Sequence, residues 1–185
     1  MRIELANVEQ VKNYLGITNV TDDALLTRLT KAANGFIQTW LNRDLGQSTY
    51  TEKRNGTGGD TMLFANYPVT DVASVTVNGQ SIPPSPSEFQ RGFVNDDNAL
   101  YLRNAIFERG RLNVTITYTA GYPDDEVPAE LTQACVEMVA NRYREKDRIG
   151  LVSKGLAGET ITFSQKDMPS DVRTILNNYK KVAPF

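Results

Sequence analysis

Along the first 43 residues the apolar positions recur at the spacing of a helix face. Asn7 stands ahead of Val8, Val11 and Leu15, and Gly16 follows where a left-handed stop is expected, so a short capped helix is predicted. Thr21 then precedes Asp22 and Asp23, a cap followed by first-turn carboxylates. Leu25, Leu26, Leu29, Ala32, Ala33, Phe36, Ile37, Trp40 and Leu41 recur from there at helical spacing to about Arg43. At a rise of 1.5 Å per residue, this second helix is roughly 34 Å long.

From Thr49 the pattern changes to short runs of Thr, Val, Tyr and Phe separated by Gly, Asn, Asp and Pro, as strands and turns require. The runs are Tyr50 to Arg54, Thr61 to Ala65, Ser74 to Val77, Glu88 to Val94, Ala99 to Leu102 and Leu112 to Thr119. Asn78-Gly79 is a hairpin signal, because both residue types tolerate the positive φ of a type I′ turn. Ile82 to Ser87, with its three prolines, lacks donors and predicts a loop or sheet edge.

Helical periodicity resumes at Pro128, which suits a first helical position, and runs through Leu131, Ala134, Cys135, Met138, Val139 and Tyr143 to about Lys146. Leu151 to Gly158 is rich in Gly, Ser and Ala and predicts a mobile segment. Thr160 to Ser164 suits one short strand, and Ser170 caps a last helix with Val172, Ile175, Leu176 and Tyr179 inward and Lys180 and Lys181 at its end. The expectation is an α+β chain. A helical part over 1–48 and a C-terminal helical part over 121–185 form a helical frame, with a small antiparallel β subdomain inserted over 49–120.

Composition narrows the chemistry. The 185 residues carry 20 Lys plus Arg against 22 Asp plus Glu, a net charge of -2, which offers no cationic excess for wrapping nucleic acid. There is no histidine, so the commonest general base and metal ligand are missing, and a single cysteine forms neither an internal disulfide nor a thiolate zinc cluster. No apolar run approaches the length of a membrane span, and the N-terminus lacks a basic stretch followed by an apolar one. Folding in a reducing cytoplasm is expected.

Candidate sites are few. Asn55 to Asp60 is glycine-rich, but it lacks the Lys-Ser/Thr and helix of a phosphate-binding loop and reads as a β-turn or long hairpin tip. The acidic groups Asp22/Asp23, Asp96/Asp97 and Asp124/Asp125/Glu126 do not have the alternating spacing of a calcium loop, and each suits a helix start or a turn. Arg142, Arg144, Lys146 and Arg148 cluster at a helix end, diluted by Glu145 and Asp147, and read as a solvated end or a subunit contact. Cys135 reads as core, and Ser153 and Lys154 are adjacent rather than spaced as a catalytic dyad. No catalytic residue, cofactor or metal is expected, and the residues alone lead to a soluble α+β domain that is not an enzyme.

Four stretches together resemble the head-tail connector (adaptor) proteins of long-tailed bacteriophages and related prophages, in the members that carry an inserted sheet. VEQVKNYLGI with TDDALLTRLTKAANGFIQTWLNRDL is similar to the family's opening helix and long second helix. NGTGGDTMLFANYPVTDVASVTVNG is similar to its Gly-rich turn, Tyr-Pro-Val and Asn-Gly hairpin. VTITYTAGYPDDEVPAELTQACVEMVANRYRE resembles the last strand, the Ala-Gly-Tyr corner and the third helix, and GLAGETITFSQKDMPSDVRTILNNYKK resembles the short strand and closing helix. The chain departs from the family pattern at DRIGLVSKGLAG.

The resemblance implies a structural virion protein of the neck, made in the host cytoplasm, whose copies form a ring, commonly of twelve, under the portal. Its partners are the portal protein and a stopper or tail-completion protein. Genomic DNA passes through the channel without sequence-specific binding, and no membrane is involved. At -2 per copy a ring of twelve carries -24, so an acidic lumen that does not grip DNA is expected. The portal-directed and subunit contacts are expected on Asp147 to Gly158 and on Tyr179 to Phe185, through Arg144, Lys146, Arg148, Lys154, Tyr179, Lys180, Lys181 and Phe185. The alternative is a phage decoration or receptor-binding module, for which an exposed aromatic cluster among Tyr50, Phe64, Tyr67, Phe89 and Phe93 is expected.

Overall fold

Asn7 starts helix α1 (Val8–Leu15) through a reciprocal pair: its Oδ1 accepts the Gln10 amide at 2.9 Å while Gln10 Oε1 accepts the Asn7 amide at 2.9 Å. The pair satisfies two donors that an uncapped helix leaves open. Gly16 closes α1 at φ 70°. The computed structural model describes residues 3–146, 153–156, 159–162 and 168–180, the strand pair 153–156 and 159–162 by backbone alone. The chain divides into two units, one of Asp44–Glu126 and one of Ile3–Arg43 with Val127–Lys181.

Helix α2 (Asp23–Leu41) departs from the sequence expectation at both ends and in its face. Asp22, not Thr21, holds the N-cap position and makes no side-chain cap bond, because its carboxylate is engaged elsewhere. Asn42, left-handed at φ 52°, ends the helix ahead of Arg43. The buried positions are Leu26, Thr30, Ala33, Asn34, Ile37, Gln38 and Leu41, so the inward face is rotated away from Ala32, Phe36 and Trp40. Two buried amides explain the rotation. Asn34 accepts the Leu5 amide at 2.7 Å and donates to the Ala6 carbonyl at 3.0 Å, and Gln38 donates to the Ile3 carbonyl at 2.8 Å. They satisfy the backbone of a buried segment that has no strand partner.

Helix α3 (Ala129–Arg144) buries Leu131, Ala134, Cys135, Val136, Met138, Val139 and Ala140, with Pro128 one place earlier than expected, at the N-cap. Helix α4 (Ser170–Asn178) has Pro169 at its N-cap. Ser170 is therefore its first residue rather than its cap, and its hydroxyl donates to Asp171 at 3.2 Å. Val172 and Leu176 are buried, whereas Ile175 and Tyr179 are half-buried.

The β unit holds two antiparallel sheets. Strands β1 (Ser48–Gly56), β3 (Val69–Val77), β4 (Gln80–Ile82) and β7 (Gly110–Ala120) form one in the order β1-β7-β3-β4. Strands β2 (Thr61–Leu63), β5 (Gly92–Asn95) and β6 (Ala99–Arg103) form the other in the order β2-β6-β5. Alternation along β7 buries Val114, Ile116, Tyr118 and Ala120, which pack with Val75 and Val77 and, from the smaller sheet, Met62, Phe93, Leu100 and Leu102. The Tyr118 hydroxyl donates to Glu52 and accepts the Asn66 amide at 3.1 Å; burial, then the Glu52 bond, raise its pKa.

The Gly-rich loop is not a hairpin tip, since β1 and β2 belong to different sheets. It crosses between them, and a Cβ at Gly56 would lie 1.8 Å from the Glu108 carbonyl oxygen, so only glycine passes. Asn78-Gly79 forms the expected turn, with φ 53° and 79° and Val77 paired to Gln80. Glu88 to Arg91 is loop rather than strand: Ser85 Oγ donates to the Ser87 and Gln90 carbonyls at 2.7 and 2.9 Å and draws the chain into a turn. Ser153–Leu156 (β8) pairs antiparallel with Glu159–Thr162 (β9), so part of the segment expected to be mobile is a hairpin strand.

Candidate interaction surface

Asp22, at the start of α2, accepts the Tyr143 hydroxyl at 2.5 Å and the Lys146 ammonium at 3.3 Å, and Lys146 Nζ lies 4.2 Å from the Tyr143 ring centroid. The Tyr143 bond, then Lys146, hold the Asp22 carboxyl below the usual aspartate range, and contact with Tyr143, then Asp22, raises Lys146. Lys146 thus closes a link between the start of α2 and the end of α3. Arg144, one residue past Tyr143, is exposed.

A second cluster joins α2, α3 and α4. Phe36 and Trp40, one turn apart on α2, stack at 6.3 Å between centroids with an interplanar angle of 22°. Arg142 of α3 lies 5.4 Å from the Phe36 centroid, and Arg173 of α4 and Lys180 beyond it lie 5.8 and 5.3 Å from that of Trp40. All fall within the range over which a cation is attracted to a ring face. Tyr179 donates its hydroxyl to Glu130 at 2.7 Å, and its carbonyl accepts Arg43 Nη1 at 3.4 Å, which ties the end of α4 to α2 and α3.

Of the eight residues expected to make contacts, Lys146 therefore belongs to the first cluster and Tyr179 and Lys180 to the second. Arg148, Lys181 and Phe185 lie outside the described residues, and Lys154 sits on β8, described by its backbone alone. Phe36, Trp40, Arg142 and Arg173 were not among the eight. Their signal was the i, i+4 aromatic pair on α2, which periodicity assigned to the inward stripe.

The other candidates are absorbed locally. Asp96 accepts the amides of Asn98 and Ala99 at 2.8 and 2.7 Å and the Tyr101 hydroxyl at 2.9 Å. Those amides, foremost, lower its pKa. Burial, aided by the Glu4 charge, pushes the Cys135 thiol up to about 12, so it stays a thiol. The amides of Gly56 and Gly58 donate to Asn113 Oδ1 and the Phe107 carbonyl at 2.8 and 2.7 Å rather than facing a phosphate. Among the described residues no group of three acidic or cysteine side chains is placed to hold a metal, and no helix is long and apolar enough to cross a membrane. Of the five aromatics in the β unit, Phe64 and Phe93 are core, Tyr50 packs against it and Tyr67 is half-buried, while Phe89 is 90% exposed.

A family model described as head completion protein matches residues 4–182. Solved structures with similar chains include the neck of an empty gene transfer agent particle computed with C6 symmetry, at 20% identity and a TM-score of 0.53 over 98% of this chain and 92% of that one. A chain of the native gene transfer agent virion is similar at 19% identity and a TM-score of 0.55, over 98% and 92%. One from the native neck computed with C12 symmetry is similar at 19% and 0.54, over 96% and 90%. At these identities the likeness is one of fold. No curated protein matches the chain.

Proposed function

The chain belongs to the head completion protein family, and from that membership we propose that it is a structural protein of the neck of a phage-like particle. Its copies form a ring under the portal that extends the DNA channel and offers a docking surface to a stopper or tail-completion protein. The observation that carries this reading is the family match over nearly the whole chain. The agreement of fold with chains in gene transfer agent necks, one of them described with C12 symmetry, adds to it. Assembly is by contact, not catalysis: a head-to-tail interface whose rotation closes gives a ring, and many weak portal contacts add up.

A non-catalytic role accords with the absence of histidine from the sequence and with a lone cysteine held as a thiol. Within the ring, the helical frame over 1–48 and 121–185 carries the portal contacts through Arg144, Lys146, Arg148, Lys154, Tyr179, Lys180, Lys181 and Phe185, and the insert over 49–120 faces outward or toward neighbours. DNA passes through without being gripped. The decoration or receptor-binding reading has less to rest on, since four of the five aromatics it would display are buried or half-buried.

Sedimentation of the purified chain, alone and mixed with the assembled portal of the same particle, tests the proposal. Many copies moving with each portal are expected even if the free chain is a monomer. No association at any ratio contradicts the reading, and a chain cut after Asn178 that binds portal normally removes the C-terminal contact from it.

A further inference from the structure

Charge is divided unevenly along the chain. Residues 44–126 carry 6 Lys plus Arg against 11 Asp plus Glu, a net of -5, while the rest of the sequence carries 14 against 11, a net of +3. In the helical unit the positive charge has a built focus: Arg142, Phe36, Trp40 and Arg173 touch in sequence to form a continuous strip from three helices. Among the described residues no carboxylate pairs with Arg142 or Arg173; the ion pairs there include Lys12–Asp23, Arg54–Glu52 and Lys146–Asp22. Tryptophan and arginine are the side chains most enriched where binding energy concentrates, because they combine large apolar area with directed hydrogen bonds.

In the β unit the matching feature is the turn Asp124-Asp125-Glu126, which is exposed at all three positions and closed by a Glu126 amide to Pro123 carbonyl bond at 3.1 Å. None of its carboxylates pairs with a cation among the described residues. A carboxylate meeting a guanidinium that is already desolvated on one side by an aromatic ring makes a stronger pair than two freely hydrated side chains. Opposite in charge and without ion-pair partners among the described residues, the two features are complementary between copies. That is the complementarity a closed head-to-tail ring requires.

We propose that the Phe36–Trp40–Arg142–Arg173 strip of one copy receives the Asp124-Asp125-Glu126 turn of the next copy. The inference rests on the ring reading above and names the contact that joins its members.

The test uses three charge-reversed chains on portal rings, scored by cross-linking and by the mass of the assembled ring. Arg142→Glu with Arg173→Glu reverses the strip; Asp124→Arg, Asp125→Arg and Glu126→Arg reverse the turn; the third chain carries all five changes. Each single-surface reversal is expected to weaken ring closure at least tenfold, while the five-fold variant, and an equimolar mixture of the two reversals, restore it. Arg173→Glu alone, on an exposed side chain, gives a smaller loss and guards against misfolding from the Arg142 change. The single tryptophan is Trp40, so its fluorescence should shift when wild-type rings close. Reversals that assemble like wild type, or losses that neither combination nor mixing rescues, overturn the contact. Wild-type rings with indifferent reversals remove the contact alone, whereas a wild-type chain that forms no ring removes it together with the neck reading.

Discussion

The β unit and the helical unit manage their aromatic side chains in opposite ways. In the β unit Phe64, Phe93, Phe107 and Tyr118 are buried between two sheets, and the tyrosine hydroxyl is met by Glu52 and Asn66. In the helical unit Phe36 and Trp40 are half-buried, stacked, and bordered by the cations of Arg142, Arg173 and Lys180. A closed core specifies a fold, whereas a half-covered aromatic pair ringed by positive charge leaves area and charge to offer a partner. The difference leaves half-covered aromatic area beside positive charge in the helical unit and a closed aromatic core in the β unit.

The largest loss is expected in the β core. Phe107→Ala removes a ring with no exposure, and the expected loss is about 3–5 kcal/mol in chemical denaturation. In the helical unit the counterpart is a polar anchor. Asn34→Ala unpairs the Leu5 amide and the Ala6 carbonyl, and about 1–3 kcal/mol should be lost, with faster hydrogen exchange at Leu5 and Ala6 as the local readout.

Each unit also holds one carboxylate that responds to acid. Asp22 in the helical unit and Asp96 in the β unit both have lowered pKa values, so the stability each contributes is present above the ordinary aspartate value of 3.8 and is lost as pH falls through its depressed value. Asp22→Asn should flatten the acid limb of the stability curve, with NMR titration of the carboxylates as the check. The smallest effect belongs to Phe89, 90% exposed on a loop held by Ser85. Phe89→Ser should change stability by no more than about 0.5 kcal/mol in thermal melting.

Local chemistry was legible in the residues. The Asn7 and Gly16 caps, the Asn78-Gly79 turn and the alternation along β7 follow from side-chain preferences that act within a few positions. What depends on distant partners was not. The register of β1 on β7 pairs Thr49 with Thr119, seventy positions away, and the split of β1 and β2 between two sheets leaves no mark in a periodic pattern. The helix face of α2 was misplaced for the same reason, because Asn34 and Gln38 point inward to serve Ile3, Leu5 and Ala6, a role that polarity alone argues against. The basic end of α3 was visible as composition. That Lys146 turns back to Asp22, and that Arg142 covers Phe36, required the fold.

The most direct test of the neck assignment is the ratio of this chain to portal protein in heads isolated before tails attach. About as many copies of the chain as of the portal protein should remain bound through gradient purification, and heads from cells lacking the chain should fail to retain the next neck protein. Heads that carry no copies, yet join tails at the normal rate, would contradict the account.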